Sequence, residues 1–231
     1  MLTLGIDSST DIGAMGLVDG HDFLGQVNIR LHHRHSERLL INIDHLLQEA
    51  GYEINDLEGV VVTVGPGSFT GLRIGITTAK TVAQSLKIPI LGLSTLDVLA
   101  YNSYKGKGWL VPVLDARRER VYTALYQSGS KDIQQARQWQ DQALAVEELI
   151  NKLKNYDASG VFHLIGNGVQ AYRDKFKKSN LKIEKPSSSI NIPRGGVIAD
   201  LGRYYIENGQ TDKLFELTPN YLKKPQAEIN W

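Results

Sequence analysis

A β-branched run, Gly59-Val60-Val61-Val62-Thr63-Val64, passes directly into Gly65-Pro66-Gly67-Ser68-Phe69-Thr70-Gly71-Leu72-Arg73-Ile74-Gly75. This junction constrains the fold more than any other segment. The run is of the kind that fills a strand covered on both faces. Glycines at its C-terminal end permit positive φ and close approach, and Ser68 or Thr70 can cap the bare N–H groups of the helix that follows. A strand that turns through glycines into a helix is a building unit of a layered α/β protein. Such a helix start can also hold an anion, although Gly-Pro-Gly before a helix is more often a plain connection than a phosphate cradle.

Around this junction the periodicity is clear. Leu2 to Asp7 and Gly13 to Val18 read as a hairpin closed by Ser8-Ser9-Thr10, and Phe23 to Arg30 supplies a third strand after Asp19-Gly20. From Ser36 the period becomes helical, with Leu39, Leu40, Ile43, Leu46, Leu47 and Ala50 recurring and Gly51 just past the end. A helix over 68–86, a strand over 88–93 and a helix over 95–101 complete a mixed sheet covered by helices. The polar stretch Lys105-Gly106-Lys107-Gly108 marks a boundary. Beyond it, strands at 109–115 and 121–126 and again at 161–165, with helices over 146–156, 169–177 and 197–208, form a second unit. Both halves open with an apolar strand ending in Asp, at Asp7 and at Asp115, followed by a turn and an alternating strand. Two copies of one topology are therefore expected, over residues 1–104 and 105–231. The tail from Thr218 has no clear period.

Composition narrows the function. At 231 residues the chain can bury a substantial core. Lys plus Arg is 26 against 25 for Asp plus Glu, and a net charge of +1 offers no global field for RNA, DNA or an anionic membrane. Without cysteine there is no disulfide, thiol nucleophile or thiolate metal site. No run approaches the ~20 apolar residues of a membrane span, so a soluble cytoplasmic chain is expected.

Three features could carry chemistry. Asp7-Ser8-Ser9 at the end of the first strand is either a phosphate loop, possible only in vestigial form, or an Asx-turn that closes a hairpin. His32, His33, His35 and His45 invite a metal reading, but adjacent histidines on a strand point apart, and His45 lies on the helix face away from Leu39, Ile43 and Leu46. A solvated or interfacial role suits them better. On the helix from Ser68, Leu72, Ile76, Ala79, Ala83 and Leu86 form one stripe suited to a sheet, while Gly71, Ile74, Gly75, Thr78, Val82 and Ser85 form a second about 110° away. Two interior glycines cost roughly 1 kcal/mol each relative to alanine, so a close backbone approach should offset them. The approaching element is either the helix from Ser36 or a helix of a partner. Ile41, exposed if Leu39 and Ile43 face the core, tilts the reading towards a partner.

Taken in order, Leu4-Gly5-Ile6-Asp7-Ser8-Ser9, His35-Ser36-Glu37-Arg38-Leu39-Leu40, the Gly65–Gly75 signature, Leu114-Asp115-Ala116-Arg117 with Val121-Tyr122, and Pro219-Asn220-Tyr221-Leu222 resemble the TsaB (YeaZ) family. The resemblance spans nearly the whole chain. It implies an α/β, actin-like ATPase (ASKHA) fold of two RNase H-like subdomains. It also implies a role in forming N6-threonylcarbamoyladenosine in tRNAs that read codons beginning with A.

By the same resemblance the chain is a non-catalytic companion of the related enzyme TsaD, with the ATPase TsaE as a further partner and tRNA reached through the complex. In TsaD an Asn-His-x-x-x-His segment carries the catalytic metal; here Thr95 and Leu99 stand where its histidines would be. No metal, no transfer activity alone and no cofactor on the free chain are therefore expected, with ATP or ADP held only within the complex. The docking surface implied is Ile41, His45, Gly71, Ile74, Gly75, Thr78 and Val82, facing TsaD or, when the protein is alone, a second copy. Two alternatives are an autonomous actin-like nucleotide phosphotransferase, for which Asp7 and Asp115 are suggestive, and a glycoprotease-type peptidase. The peptidase is disfavoured because no nucleophile motif and no His-Glu-x-x-His is present.

Overall fold

The computed structural model describes residues 1–30, 35–103, 107–130, 132–184 and 187–222. It divides into two compact units, one of residues 1–98 and 193–221 and one of residues 99–192 and 222–231.

The first unit is built on a five-stranded sheet. Strands β1 (Leu2–Asp7), β2 (Ile12–Asp19), β3 (Asp22–Arg30), β4 (Gly59–Gly65) and β5 (Ile90–Ser94) lie in the order β3-β2-β1-β4-β5. The first three pair antiparallel, and β4 and β5 add in parallel. Alternation in each strand assigns the two faces. Leu4, Ile6, Met15, Leu17, Val60 and Val62 pack under helices α1 (His35–Glu49) and α2 (Phe69–Leu86), with Leu39, Ile43, Leu47, Leu72, Ile76 and Ala79 completing that core. The intervening positions, Gly5, Gly16 and Val61, face the opposite way.

That second face is covered by a helix from the far end of the sequence. A Cβ on Gly16 would stand 2.1 Å from the backbone of Gly195 and Gly196, one on Gly5 would stand 2.4 Å from Ala199 N, and one on Gly202 would meet Val61 at 2.2 Å. Glycines on the sheet and on the Gly195–Glu207 helix thus let backbone lie on backbone. Residues beyond it run along the free edge of β5, where Asp212 N donates to Ile90 O at 2.9 Å and Asp212 Oδ2 accepts from Gly92 N at 2.7 Å. The expected division at 104/105 is corrected accordingly: residues 193–221 return to the first unit, because their apolar and glycine faces are complementary to its sheet.

The second unit repeats the topology. Along the chain β5 is followed by α3 (Thr95–Tyr101), β6 (Trp109–Asp115), β7 (Arg120–Gln127), α4 (Ile133–Ala136), β8 (Arg137–Ala145), α5 (Val146–Tyr156), β9 (Val161–Ile165), α6 (Asn167–Ala171), α7 (Arg173–Lys177) and β10 (Lys182–Glu184); the helix at Gly195–Glu207 is α8. The sheet order β10-β9-β6-β7-β8, with β6, β7 and β8 antiparallel and β9 and β10 parallel, matches the first sheet strand for strand. Helix α5 buries Val146, Leu149, Ile150 and Leu153 against it. The helix expected over 169–177 is instead two short ones broken at Tyr172. Its hydroxyl donates to Asp115 Oδ1 at 2.7 Å, and burial together with that bond pushes the phenol up to about 12. Strands β8 and β10 escape the sequence reading. The Lys105-Gly106 boundary lies outside the described residues. Among the described residues, no helix is long and apolar enough to cross a membrane.

Candidate functional site

The glycine-rich junction and the Asp7-Ser8-Ser9 turn meet at the C-terminal ends of β1 and β4, since parallel pairing places Ile6 beside Val62. Ser68 N donates to Ser9 O at 2.6 Å, and Ser8 Oγ donates to Gly71 O at 2.7 Å. Ser68 caps α2 by accepting from Gly71 N at 3.3 Å. The three glycines are needed because the turn lies directly on the helix. A Cβ on Gly67 would stand 2.4 Å from Ser9 O, one on Gly71 1.9 Å from Ser8 O, and one on Gly75 2.3 Å from Ser8 Oγ.

Asp7 is fully buried at the centre of this turn. Its Oδ1 accepts from Thr63 Oγ1 at 2.5 Å and from Ser9 N at 3.2 Å, while its Oδ2 has no hydrogen-bond partner. Burial is the dominant influence and raises the carboxyl above its ordinary value, outweighing the hydrogen bonds from Ser9 and Thr63 that pull it down. The folded chain therefore keeps this proton at pH values where the unfolded chain has lost it. The associated stability is complete below the ordinary Asp value, near pH 4, and is lost as pH rises through the raised folded value. Asp7→Asn keeps the Oδ1 acceptor and removes the titration. Its melting temperature is expected to equal or exceed that of the wild type at pH 8, and to vary less between pH 4 and 8; a variant much less stable than wild type at pH 8 would show that the ionised carboxylate is required.

The same junction anchors the C-terminal motif. Asn220 N donates to Val64 O at 2.7 Å, and a Cβ on Gly65, whose φ is 112°, would stand 2.9 Å from Asn220 O. Tyr221 stacks on Phe69 at 4.6 Å, and the Arg73 guanidinium lies 3.9 Å over the Phe69 ring while its Nε donates to the Tyr221 hydroxyl at 2.9 Å. Two motifs more than 140 residues apart in the chain thus form one structure. Sequence reasoning noted both but not their meeting, and it passed over Thr63, the one polar side chain in its β-branched run.

The small-residue stripe is corrected in part. Gly71 and Gly75 are occupied by the Ser8 turn of the same chain, and Thr78 and Val82 are buried in the unit. Neither the helix from Ser36 nor a partner is what makes those glycines necessary. What remains open is the outer face of α1, where Leu40 is 53% and Ile41 66% exposed, with His45 exposed beside Glu49 at 3.9 Å and Ile74 half-buried on α2. His32 and His33 lie outside the described residues.

Thr95 opens α3, and Leu99 follows one turn later; both are buried, and the Thr95 hydroxyl has no hydrogen-bond partner. Leucine has no donor atom, and a single neutral hydroxyl is a poor ligand, so the residues at these two positions do not fit a catalytic metal. Among the described residues no three His, Asp or Glu side chains converge as a metal set.

Two mixed sheets of one topology, each flanked by helices, give this α/β chain the actin-like fold. The sequence pattern of the family described as "TsaD: tRNA N6-adenosine threonylcarbamoyltransferase" matches residues 25–231. The tRNA threonylcarbamoyladenosine biosynthesis protein TsaB of Bacillus subtilis (strain 168) is 32% identical over 232 residues, covering all of this chain and 98% of its own length. The protein of that name from Escherichia coli (strain K12) is 27% identical, covering 98% and 96%. YeaZ from Pseudomonas aeruginosa superposes with a TM-score of 0.76 over 96% of this chain and 99% of its own, at 23% identity. The chain belongs to the TsaB family, within the wider TsaD family.

Proposed function

We propose that the chain is the non-catalytic subunit of the assembly that forms N6-threonylcarbamoyladenosine in tRNA, and that it acts by docking on a TsaD-type enzyme. The observation that carries this reading is the full-length match to proteins named for that biosynthesis. Two features of the chain support the finer statement. Thr95 and Leu99 leave no metal donor pair where the resemblance places the catalytic histidines, so the transfer chemistry belongs to the partner. Leu40 and Ile41 on α1 offer the apolar anchor that a protein interface needs at its centre. In this reading the free chain is cytoplasmic, pairs with itself when alone and holds no nucleotide, ATP or ADP being bound only in the complex with TsaD and TsaE.

The test is light scattering after size-exclusion chromatography of the chain mixed with the TsaD-type protein of the same organism. A one-to-one complex is expected. Separate elution of the two proteins at tens of micromolar would remove the docking step from the proposal.

A further inference from the structure

The whole-chain charge of +1 conceals a strong separation between the units. Over its described residues, 1–30, 35–98 and 193–221, the first unit has 8 Lys and Arg against 15 Asp and Glu, a net −7. The second, over its described residues 99–103, 107–130, 132–184, 187–192 and 222, has 12 against 9, a net +3. A positive excess on one unit and a negative excess on the other attract a polyanion to the positive one and raise its encounter rate.

Many of the second unit's carboxylates are already engaged. Lys175 bridges Glu119 at 2.9 Å and Glu147, Arg137 holds Asp141 at 2.5 Å, Asp115 accepts from Tyr172, and Glu148 caps α5. Seven cations of the unit are exposed with no side-chain partner among the described residues, and five of them, Arg117, Arg118, Arg173, Lys177 and Lys178, lie on α7 and the β6–β7 turn. They belong to one connected surface, because the Lys175–Glu119 bridge and the Tyr172–Asp115 bond tie α7 to the β6–β7 turn. The turn is held firmly: Arg117, Arg118 and Glu119 take left-handed φ values of 59°, 53° and 58°, a conformation side chains adopt only when their surroundings impose it. Arg173 and Lys177 stand one helical turn apart on the same side of α7, about 5–6 Å from each other.

The occupant follows from what the surface lacks. Protein interfaces need an apolar centre, and seven of the eight large exposed apolar side chains among the described residues belong to the first unit; the second supplies only Tyr156. A surface of unpaired arginine and lysine without apolar anchors suits a phosphodiester backbone. We propose that α7 and the β6–β7 turn bind RNA backbone directly, placing this chain in contact with the tRNA rather than behind its partner. This rests on the tRNA-modification reading above.

The test is fluorescence anisotropy with a labelled, unmodified transcript of a tRNA reading codons that begin with A, titrated with the full chain at several salt concentrations. With five phosphate contacts, log affinity should fall against log salt with a slope of roughly −3.5 to −4.5. Arg173→Ala/Lys177→Ala/Lys178→Ala should weaken binding about 10- to 100-fold at 50 mM salt and flatten the slope by roughly 2 to 3, while keeping its melting temperature and its complex with the TsaD-type enzyme. Equal affinity and slope in wild type and variant would overturn the proposal. So would poly-glutamate competing as well as RNA at equal charge, or loss of the enzyme complex in the same variant, since the surface would then be a protein interface. Failure of the wild-type chain to join the enzyme at all would contradict the proposed function instead.

Discussion

Gly71→Ala is expected to lower the melting temperature by roughly 2–12 °C, although alanine is the better helix former. The added methyl would stand 1.9 Å from the Ser8 carbonyl oxygen, and that atom belongs to backbone at the end of β1, not to a side chain that can swing aside. Overpacking of this kind costs about 1–3 kcal/mol, and losing the 2.7 Å bond from Ser8 Oγ to Gly71 O adds about 1 kcal/mol. Helix propensity returns at most about 1 kcal/mol. At ~2–4 °C per kcal/mol for a chain of this size, the net of about 1–3 kcal/mol gives the stated range. Ser8→Ala separates the parts, since it loses the bond without the clash and should cost about 1 kcal/mol. Thermal denaturation followed by circular dichroism reads both. If Gly71→Ala melts with the wild type, the turn does not lie on the helix as described.

Leu40→Asp/Ile41→Asp is expected to weaken the complex with the TsaD-type enzyme at least 100-fold while leaving the fold intact. Both side chains are more than half exposed in the free chain, so their replacement should change stability by less than about 0.5 kcal/mol each. Apolar anchors buried at the centre of an interface each contribute about 2 kcal/mol or more on truncation, and a carboxylate left there without a partner adds a desolvation cost. Calorimetric titration would show the loss directly. Unchanged affinity would move the docking surface away from α1, with Phe215 and Phe23, 80% and 59% exposed on the same unit, as the next faces to examine.

Much of the fold is legible from local chemistry. The passage from Val60–Val64 through glycines into α2 is specified within some thirty residues, and so are the first hairpin and α1. The echo of Asp7 in Asp115 is seen again in two sheets of identical order. What sequence periodicity misses depends on contacts distant in the chain. The stripe on α2 is visible on a helical wheel, but its partner is a turn 63 residues earlier rather than another helix. Helix α8 shows its own period, but nothing local says that Gly195 will lie on Gly16. Strand β8 runs Arg137-Gln138-Trp139-Gln140-Asp141, which is too polar to read as a strand, because it is an edge whose backbone pairing with β7 supplies what burial does not. Charge averaged over the chain gives +1 and hides two units of opposite sign.

Whether this chain is an accessory subunit that makes a partner active is decided by measuring threonylcarbamoyladenosine in an unmodified tRNA transcript by nucleoside mass spectrometry. The reaction contains threonylcarbamoyl-adenylate, ATP and TsaE, with the TsaD-type enzyme alone, this chain alone, or both. No product is expected from this chain alone, and the pair should yield at least tenfold more than the enzyme alone. Product formed by this chain alone, or a pair no more active than the enzyme by itself, would contradict that role.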